Sequence, residues 1–411
     1  MRILFIHQNF PGQFKLLPTC LAQEAGNEIV CLGDTANITK QNHRLPFQFF
    51  GYHARPPEES QSHHYLRSFE KAIRRGQDVV IACQQVRARG FLPDLIIGHP
   101  AWGELLFIKD LFPSARLIAY FEFFYQATGA DVGFDPEYPS TFDDLCKLRI
   151  RNSTQLHALS ECDAGISPTS WQHSTYPVRE QPRIRVIHEG INLDTVRPDA
   201  NAIFQLPDGR TLTRHDKVIT FVSRQLEPYR GFHVFMRALP ALQRAIPDAQ
   251  FLIVGGDGVS YGTPPPAPHT SHREKMLAEV GDQIDASRTH FVGRLPYAQY
   301  LSLMQISRLH IYLTYPFVLS WSMLEAMACG VPVLGSATAP VMEVIRDGEN
   351  GYLFDFFKSD ELVARAVEIL AQKEAATNAV CEAARHEIES RFSFTTHSLP
   401  AYQQLIRDVM A

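Results

Sequence analysis

The chain has 411 residues, more than one hydrophobic core ordinarily organises, so two domains are expected. Apolar residues make up 45% and charged residues 20%, ordinary globular usage that excludes a chain dominated by disorder. The formal net charge is −5 with no long basic run, which excludes a general nucleic-acid binder, because that activity needs excess Lys and Arg to displace counterions. The seven cysteines, Cys20, Cys31, Cys83, Cys146, Cys162, Cys329 and Cys381, are odd in number, scattered and without a C-x-x-C pair. That pattern argues against a zinc site or a disulfide framework and for reduced thiols in a cytoplasmic protein. No apolar run reaches membrane-spanning length. The opening Met1–His7 is too short for a signal-peptide core and reads as a buried first strand. Peripheral contact with the inner face of a membrane is left open.

In chain order, strands are expected at Ile3–His7, Glu28–Leu32, Leu95–Gly98, Leu117–Phe121, Ala164–Ser167 and Ile184–His188, with helical patterns between them. A break follows Ile191-Asn192-Leu193-Asp194, where the polar stretch after Arg197 contains the turn signal Pro207-Asp208-Gly209. A second alternation then begins. Strands are expected at Val218–Val222, Gln250–Val254, Thr289–Val292, Leu309–Leu313, Val331–Leu334 and Gly351–Phe354. Helices are expected near Phe232–Ala245, Tyr297–Ile306, Ser322–Cys329 and Val341–Asp347. The segment Tyr261–Pro266 must be loop, because its three prolines fix φ and lack a donor. The expected organisation is an α/β chain: a first Rossmann-like domain over 1–195, a second over 196–390, and a terminal helix over 391–411 returning to the first. Open parallel sheets bind ligands beyond the carboxyl ends of their strands, so a cleft faced by both sheets is the default site.

Three motifs follow predicted strands. After the first comes His7-Gln8-Asn9-Phe10-Pro11-Gly12-Gln13-Phe14, whose glycine lets backbone N–H groups approach an anion or simply makes a turn. After the first strand of the second domain comes Ser223-Arg224-Gln225-Leu226-Glu227-Pro228-Tyr229-Arg230-Gly231, with two guanidiniums whose donor forks suit a diphosphate. Taken singly, both arginines are equally two exposed charges. Third, Glu325 sits among Met323, Leu324, Ala326 and Met327 on a short helix ending at Gly330. A carboxylate there needs a ligand such as a sugar hydroxyl, or an internal partner.

In order and spacing these motifs, together with "LEAMACGVPV", "FLIVGGDG", "HFVGRLPYAQY" and "APVMEVIRDGENGYLF", make the chain resemble the retaining GT-B glycosyltransferases of family four over nearly its whole length. The resemblance implies a GT-B fold of two Rossmann-like domains whose parallel sheets face an interdomain cleft. It implies transfer of a sugar from a UDP- or GDP-linked donor to a hydroxyl of a glycan or other glycoconjugate, as in polysaccharide biosynthesis. It further implies that Gly12 and Gln13 face the donor phosphates and that Arg224 and Arg230 bind the diphosphate, Arg230 standing where many relatives carry lysine. Arg294 and Leu295 would lie along the base and Glu325 would hold the ribose hydroxyls. Backbone amides of Leu319, Ser320, Trp321 and Ser322 would meet the sugar or phosphates. No cofactor beyond the nucleotide-sugar co-substrate is implied. No Asp-x-Asp motif stands at a strand end, so metal-independent chemistry is expected.

One position departs from the family pattern of two glutamates with seven-residue spacing: the first falls on Phe317. Either this branch recognises its sugar differently or it is an inactive relative, and the retention of Arg224, Arg230 and Glu325 favours the former. The family scheme uses no protein nucleophile; the leaving phosphate deprotonates the incoming hydroxyl, and the protein positions reactants and stabilises charge. On the first domain, His99 and Glu122 each follow a strand. Glu122, in an aromatic run, is the candidate acceptor contact or base. A core histidine and an arginine-paired carboxylate are the plainer alternatives. A nucleotide-sugar epimerase or hydrolase on the same fold, and a non-catalytic nucleotide-sugar binder, are the rival functions.

Overall fold

The computed structural model describes residues 1–38, 47–54 and 62–411. The chain divides into two compact units, one formed by Met1–Gly190 with Phe394–Ala411 and the other by Ile191–Ser393. In the first unit the strands are β1 (Arg2–Ile6), β2 (Glu28–Asp34), β3 (Gln48–Tyr52), β4 (Leu95–Gly98), β5 (Arg116–Tyr120), β6 (Ala164–Ser167) and β7 (Ile184–Val186). They form a seven-stranded sheet of order β3-β2-β1-β4-β5-β6-β7, parallel throughout. β4 is buried at every position, as expected of a strand covered on both faces. The terminal helix Leu399–Met410 packs Tyr402, Leu405 and Ile406 into one core cluster with Ile3 and Phe5.

The second unit begins with a two-stranded hairpin, β8 (Ile203–Gln205) and β9 (Thr211–Thr213), closed through Pro207-Asp208-Gly209. Its main strands are β10 (Lys217–Gln225), β11 (Ala249–Gly256), β12 (Thr289–Gly293), β13 (Leu309–Tyr312), β14 (Val333–Ser336) and β15 (Tyr352–Phe354). They form a six-stranded parallel sheet of order β12-β11-β10-β13-β14-β15. Both sheets reverse direction of growth at one place, between β1 and β4 in the first and between β10 and β13 in the second. A crevice outside the carboxyl ends of the strands forms at such a switch point, and loops there hold ligands.

The helices Phe232–Ala245 and Tyr297–Ile306 match their sequence patterns residue for residue. Other elements depart from expectation. β10 runs three residues past Val222, so Arg224 lies within the strand rather than after it. β14 starts at Val333 because Pro332 cannot donate to the ladder; its carbonyl instead accepts from His310 N–H at 3.0 Å. The helix expected over 341–347 is instead a single turn, Ala339–Met342. Beyond it the buried Asn350 side chain accepts from Arg346 N–H at 2.7 Å and donates to the Val344 carbonyl at 2.9 Å, fixing a turn that competes with helix. Among the described residues no helix is long and apolar enough to cross a membrane.

Candidate functional site

In the first unit, polar side chains gather at the carboxyl ends of β1, β4 and β5. His7 follows β1. Its Nδ1 accepts from Asn9 N–H at 3.0 Å, which leaves the proton on Nε2, and Nε2 donates to Gln13 Oε1 at 2.6 Å. The Gln13 amide then donates through Nε2 to Glu122 Oε1 at 2.5 Å. His99 follows β4 and is built the same way: Nδ1 accepts from Ala101 N–H at 3.2 Å, so Nε2 carries the proton. That Nε2 points at Glu122 Oε2 from 3.6 Å, too far for a hydrogen bond, and is buried with no hydrogen-bond partner among the described residues. A buried donor left open costs stability, so the gap between His99 and Glu122 is suited to a bound hydroxyl. Glu122 keeps about a quarter of its side chain exposed while His99 is buried, so the carboxylate is the group that meets solvent.

Trp102 closes this cluster. Its indole stacks on His99 with ring centroids 4.4 Å apart and meets His7 edge-on at 5.5 Å. Arg75 donates to the Trp102 carbonyl at 2.9 Å and lies 3.9 Å from the buried Glu104, whose carboxyl is pushed up by burial against the opposing pull of that guanidinium. Gln172 Nε2 donates to the Glu122 carbonyl at 2.6 Å and fixes the backbone there.

Gly12 explains how His7 fits. Its φ is +49°, and a Cβ would stand 2.4 Å from the His7 ring. The glycine therefore makes room for the imidazole. It opens only a three-residue 3-10 turn, Gly12–Phe14, not a long helix with an appreciable dipole. The Gln13 amide is engaged at both ends by His7 and Glu122.

The second unit's polar centre lies at the switch point of its sheet. Arg230 sits in the short turn Pro228–Arg230 after β10 and is buried. Its Nη1 donates to Thr314 Oγ1 and to the Val318 carbonyl, both at 2.8 Å, and approaches the Tyr312 hydroxyl at 3.5 Å. Its Nε and Nη2 donors make no hydrogen bond among the described residues. Arg224, at the end of β10, is exposed. Phe317 is buried, edge-on to Tyr229 at 5.4 Å and to Tyr261 at 4.8 Å, with the Arg230 guanidinium 5.8 Å from its ring centre. A carboxylate at this position would face Arg230 in a dry setting and neutralise it; phenylalanine leaves the positive charge in place.

Glu325, on helix Trp321–Ala328, is buried and accepts from two phenols, Tyr297 through Oε1 and Tyr300 through Oε2, each at 2.7 Å. Burial and the nearby carboxylate push both phenols up, so both remain donors. The need for a partner that the apolar neighbours create is thus met internally. Ser320 caps that helix, its own N–H already donating to Tyr312 at 2.8 Å; Leu319 is in the core and Ser322 is buried, while Trp321 is half-buried. Arg294 is exposed and lies over Gly256, where a Cβ would be 2.7 Å from its Nε. Leu295 packs on the cluster of Phe204, Leu206 and Val254, so packing against the unit's own core occupies it.

Sequence reading alone did not single out His7, Trp102, Glu227, Tyr261, Tyr297 or Tyr300. The two phenols are spaced i, i+3 on one helix and so share a face, the one signal that might have paired them with Glu325. Among the described residues no group of three or more His, Cys, Asp or Glu side chains could hold a metal ion, and all seven cysteines are free.

Two open parallel sheets, each with its polar residues at the switch point, define a GT-B-type chain. Residues 25–196 match the glycosyl transferase family 4 group, and residues 208–386 match glycosyl transferases group 1. The chain belongs to the family-four GT-B glycosyltransferases. Among curated proteins it is 26% identical to D-inositol 3-phosphate glycosyltransferase of Mycolicibacterium smegmatis over 238 residues, covering 56% of this chain and 50% of that protein. The chain thus spans about half the length of the curated relatives it matches. Among solved structures, sucrose-phosphate synthase from Thermosynechococcus elongatus superposes with a TM-score of 0.74 at 17% identity, covering 100% of this chain and 99% of that one. Anabaena HepE in complex with UDP-glucose superposes with a TM-score of 0.66 at 18% identity, covering 99% and 100%. These likenesses show the fold.

Proposed function

We propose that this chain is a retaining, metal-independent glycosyltransferase that moves a sugar from a UDP- or GDP-linked donor to a hydroxyl of a glycan or other glycoconjugate. The observation that carries this reading is Arg230, a buried cation with Nη1 held by the protein and its other donors open. A fixed, desolvated guanidinium stabilises a departing diphosphate more strongly than one in water, and costs no reorganisation as the charge develops. Arg224 at the end of β10 adds a second cation. Glu325 holds the ribose by exchanging the Tyr297 hydroxyl for a ribose hydroxyl. In the first unit, Glu122 and the open His99 Nε2 bind the acceptor hydroxyl, with Trp102 beside them as a ring platform. The bond from the anomeric carbon to the leaving phosphate breaks, the acceptor oxygen takes its place on the same face, and its proton passes to the phosphate. The complexes of HepE with UDP and with UDP-glucose support a nucleotide-sugar donor by likeness of fold.

The test is incubation with UDP- and GDP-linked sugars and a panel of glycan acceptors, in chelator, with NMR of the product. A glycoside of the donor's anomeric configuration is expected. An inverted product, or only free or epimerised sugar with every acceptor, overturns the reading.

A further inference from the structure

The loop between β11 and helix His272–Val280 is fixed in a specific way. Glu227 is completely buried, and its carboxylate accepts from the backbone N–H groups of Ser260, Tyr261 and Gly262 at 3.1 to 3.2 Å. His272 Nε2 lies 3.0 Å from the Thr263 carbonyl and ties the next residue down. A buried carboxylate is tolerable only with such a set of donors, so the contacts are structural for Glu227 and determining for the loop. Arg230 N–H donates to the Glu227 carbonyl at 3.1 Å, so one short turn positions both the loop and the guanidinium.

The consequence is the placement of Tyr261. Its ring lies 5.6 Å from the Arg230 guanidinium carbon, 4.8 Å from the Phe317 ring and 6.1 Å from Tyr229. Tyr261 is half-buried, and its hydroxyl makes no hydrogen bond among the described residues. A phenol held in place by a loop that is itself anchored, next to a cation with open donors, is preorganised to donate to a bound molecule. Phe317, buried edge-on to it, helps fix the Tyr261 ring.

We propose that Tyr261 is a donor-recognition residue whose hydroxyl bonds a hydroxyl of the sugar ring of the nucleotide sugar, its own ring held in place by the buried Phe317. The assignment rests on the donor-site reading above and extends it to a residue on a separate loop. It places sugar recognition on a neutral phenol, so that Arg230 keeps its full charge for phosphate. Nucleoside contacts are independent of Tyr261.

The test uses the full chain and Tyr261→Phe, which keeps the ring and removes only the hydroxyl, with Tyr261→Ala removing both. Calorimetric titration with UDP, UDP-glucose, GDP and GDP-mannose measures affinity for each nucleoside diphosphate and its sugar conjugate. Tyr261→Phe is expected to weaken the sugar conjugate that wild type binds by roughly tenfold, the cost of one hydrogen bond near a charge, and to leave the matching diphosphate unchanged. Tyr261→Ala weakens the conjugate further. Equal affinities in wild type and Tyr261→Phe, or equal losses for conjugate and diphosphate, overturn the assignment. Wild type that binds none of the four sinks the donor reading itself, and the assignment with it.

Discussion

The two units solve the same problem, a polar centre at a sheet's switch point, with opposite electrostatics. In the first, hydrogen bonds run from His7 through Gln13 to the Glu122 carboxylate, with the His99 Nε2 proton aimed at the same carboxylate from 3.6 Å. In the second, the centre is a buried cation, and the acid Glu325 is engaged by two phenols of its own. The first arrangement is suited to directing a neutral hydroxyl through hydrogen bonds. The second is suited to holding negative charge. The residue that keeps the second centre cationic is Phe317, since a carboxylate there would pair with Arg230.

Removing the cation tests this contrast most severely. Arg230→Ala should lower turnover with any nucleotide-sugar donor by about a hundredfold or more, the usual scale for a group stabilising transition-state charge. The measurement is kcat/KM under chelation, with circular dichroism to verify the fold. A rate within a factor of two of wild type means the second unit's charge is not where donor phosphate binds. Glu122→Gln should leave calorimetric donor affinity intact while lowering transfer by some tens of fold, because it keeps the shape and removes the charge proposed to orient the acceptor hydroxyl. If donor affinity falls instead and transfer per bound donor does not, the division of labour between the units is wrong.

What the sequence could and could not disclose follows from range. β4 and the core of β11 are legible because a strand buried on both faces must be uniformly apolar. β3 was not, since Gln48–Tyr52 carries Gly51, which reads as a breaker. In the fold that glycine is a packing requirement, as a Cβ would stand 2.1 Å from Thr35 Oγ1. Arg230 and Glu325 stand out by residue type in a motif. Their partners do not: Tyr297 is 28 residues from Glu325, Thr314 is 84 from Arg230, and Glu122 is 109 from Gln13. Neither periodicity nor local composition carries information about such pairs, which exist only once the strands are ordered. The same holds for Glu227, whose flanking Pro228 signals a turn but whose three amide donors come from a loop 33 to 35 residues away.

The smallest expected effect concerns a histidine that the units use differently. His7 and His99 line the first unit's centre, whereas His310 lies inside β13 of the second, completely buried, with Nδ1 3.1 Å from Thr220 Oγ1 and Nε2 without a partner among the described residues. Burial pushes its pKa from the ordinary 6.5 down to about 3. Because the folded value is the lower one, the unfolded chain takes up the proton first as pH falls. The stabilisation from keeping this ring neutral is therefore whole above about pH 6.5 and is lost progressively as the pH drops toward 3. His310→Asn places an amide near the Nδ1 position and removes the titration. Its denaturation free energy should fall less steeply between pH 6.5 and 4.5, by at most about 1.4 kcal/mol per pH unit, the slope one proton supports. Parallel slopes in the two proteins mean that His310 does not titrate on unfolding in this range, and that acid sensitivity belongs to other groups, such as His272, also lowered by burial.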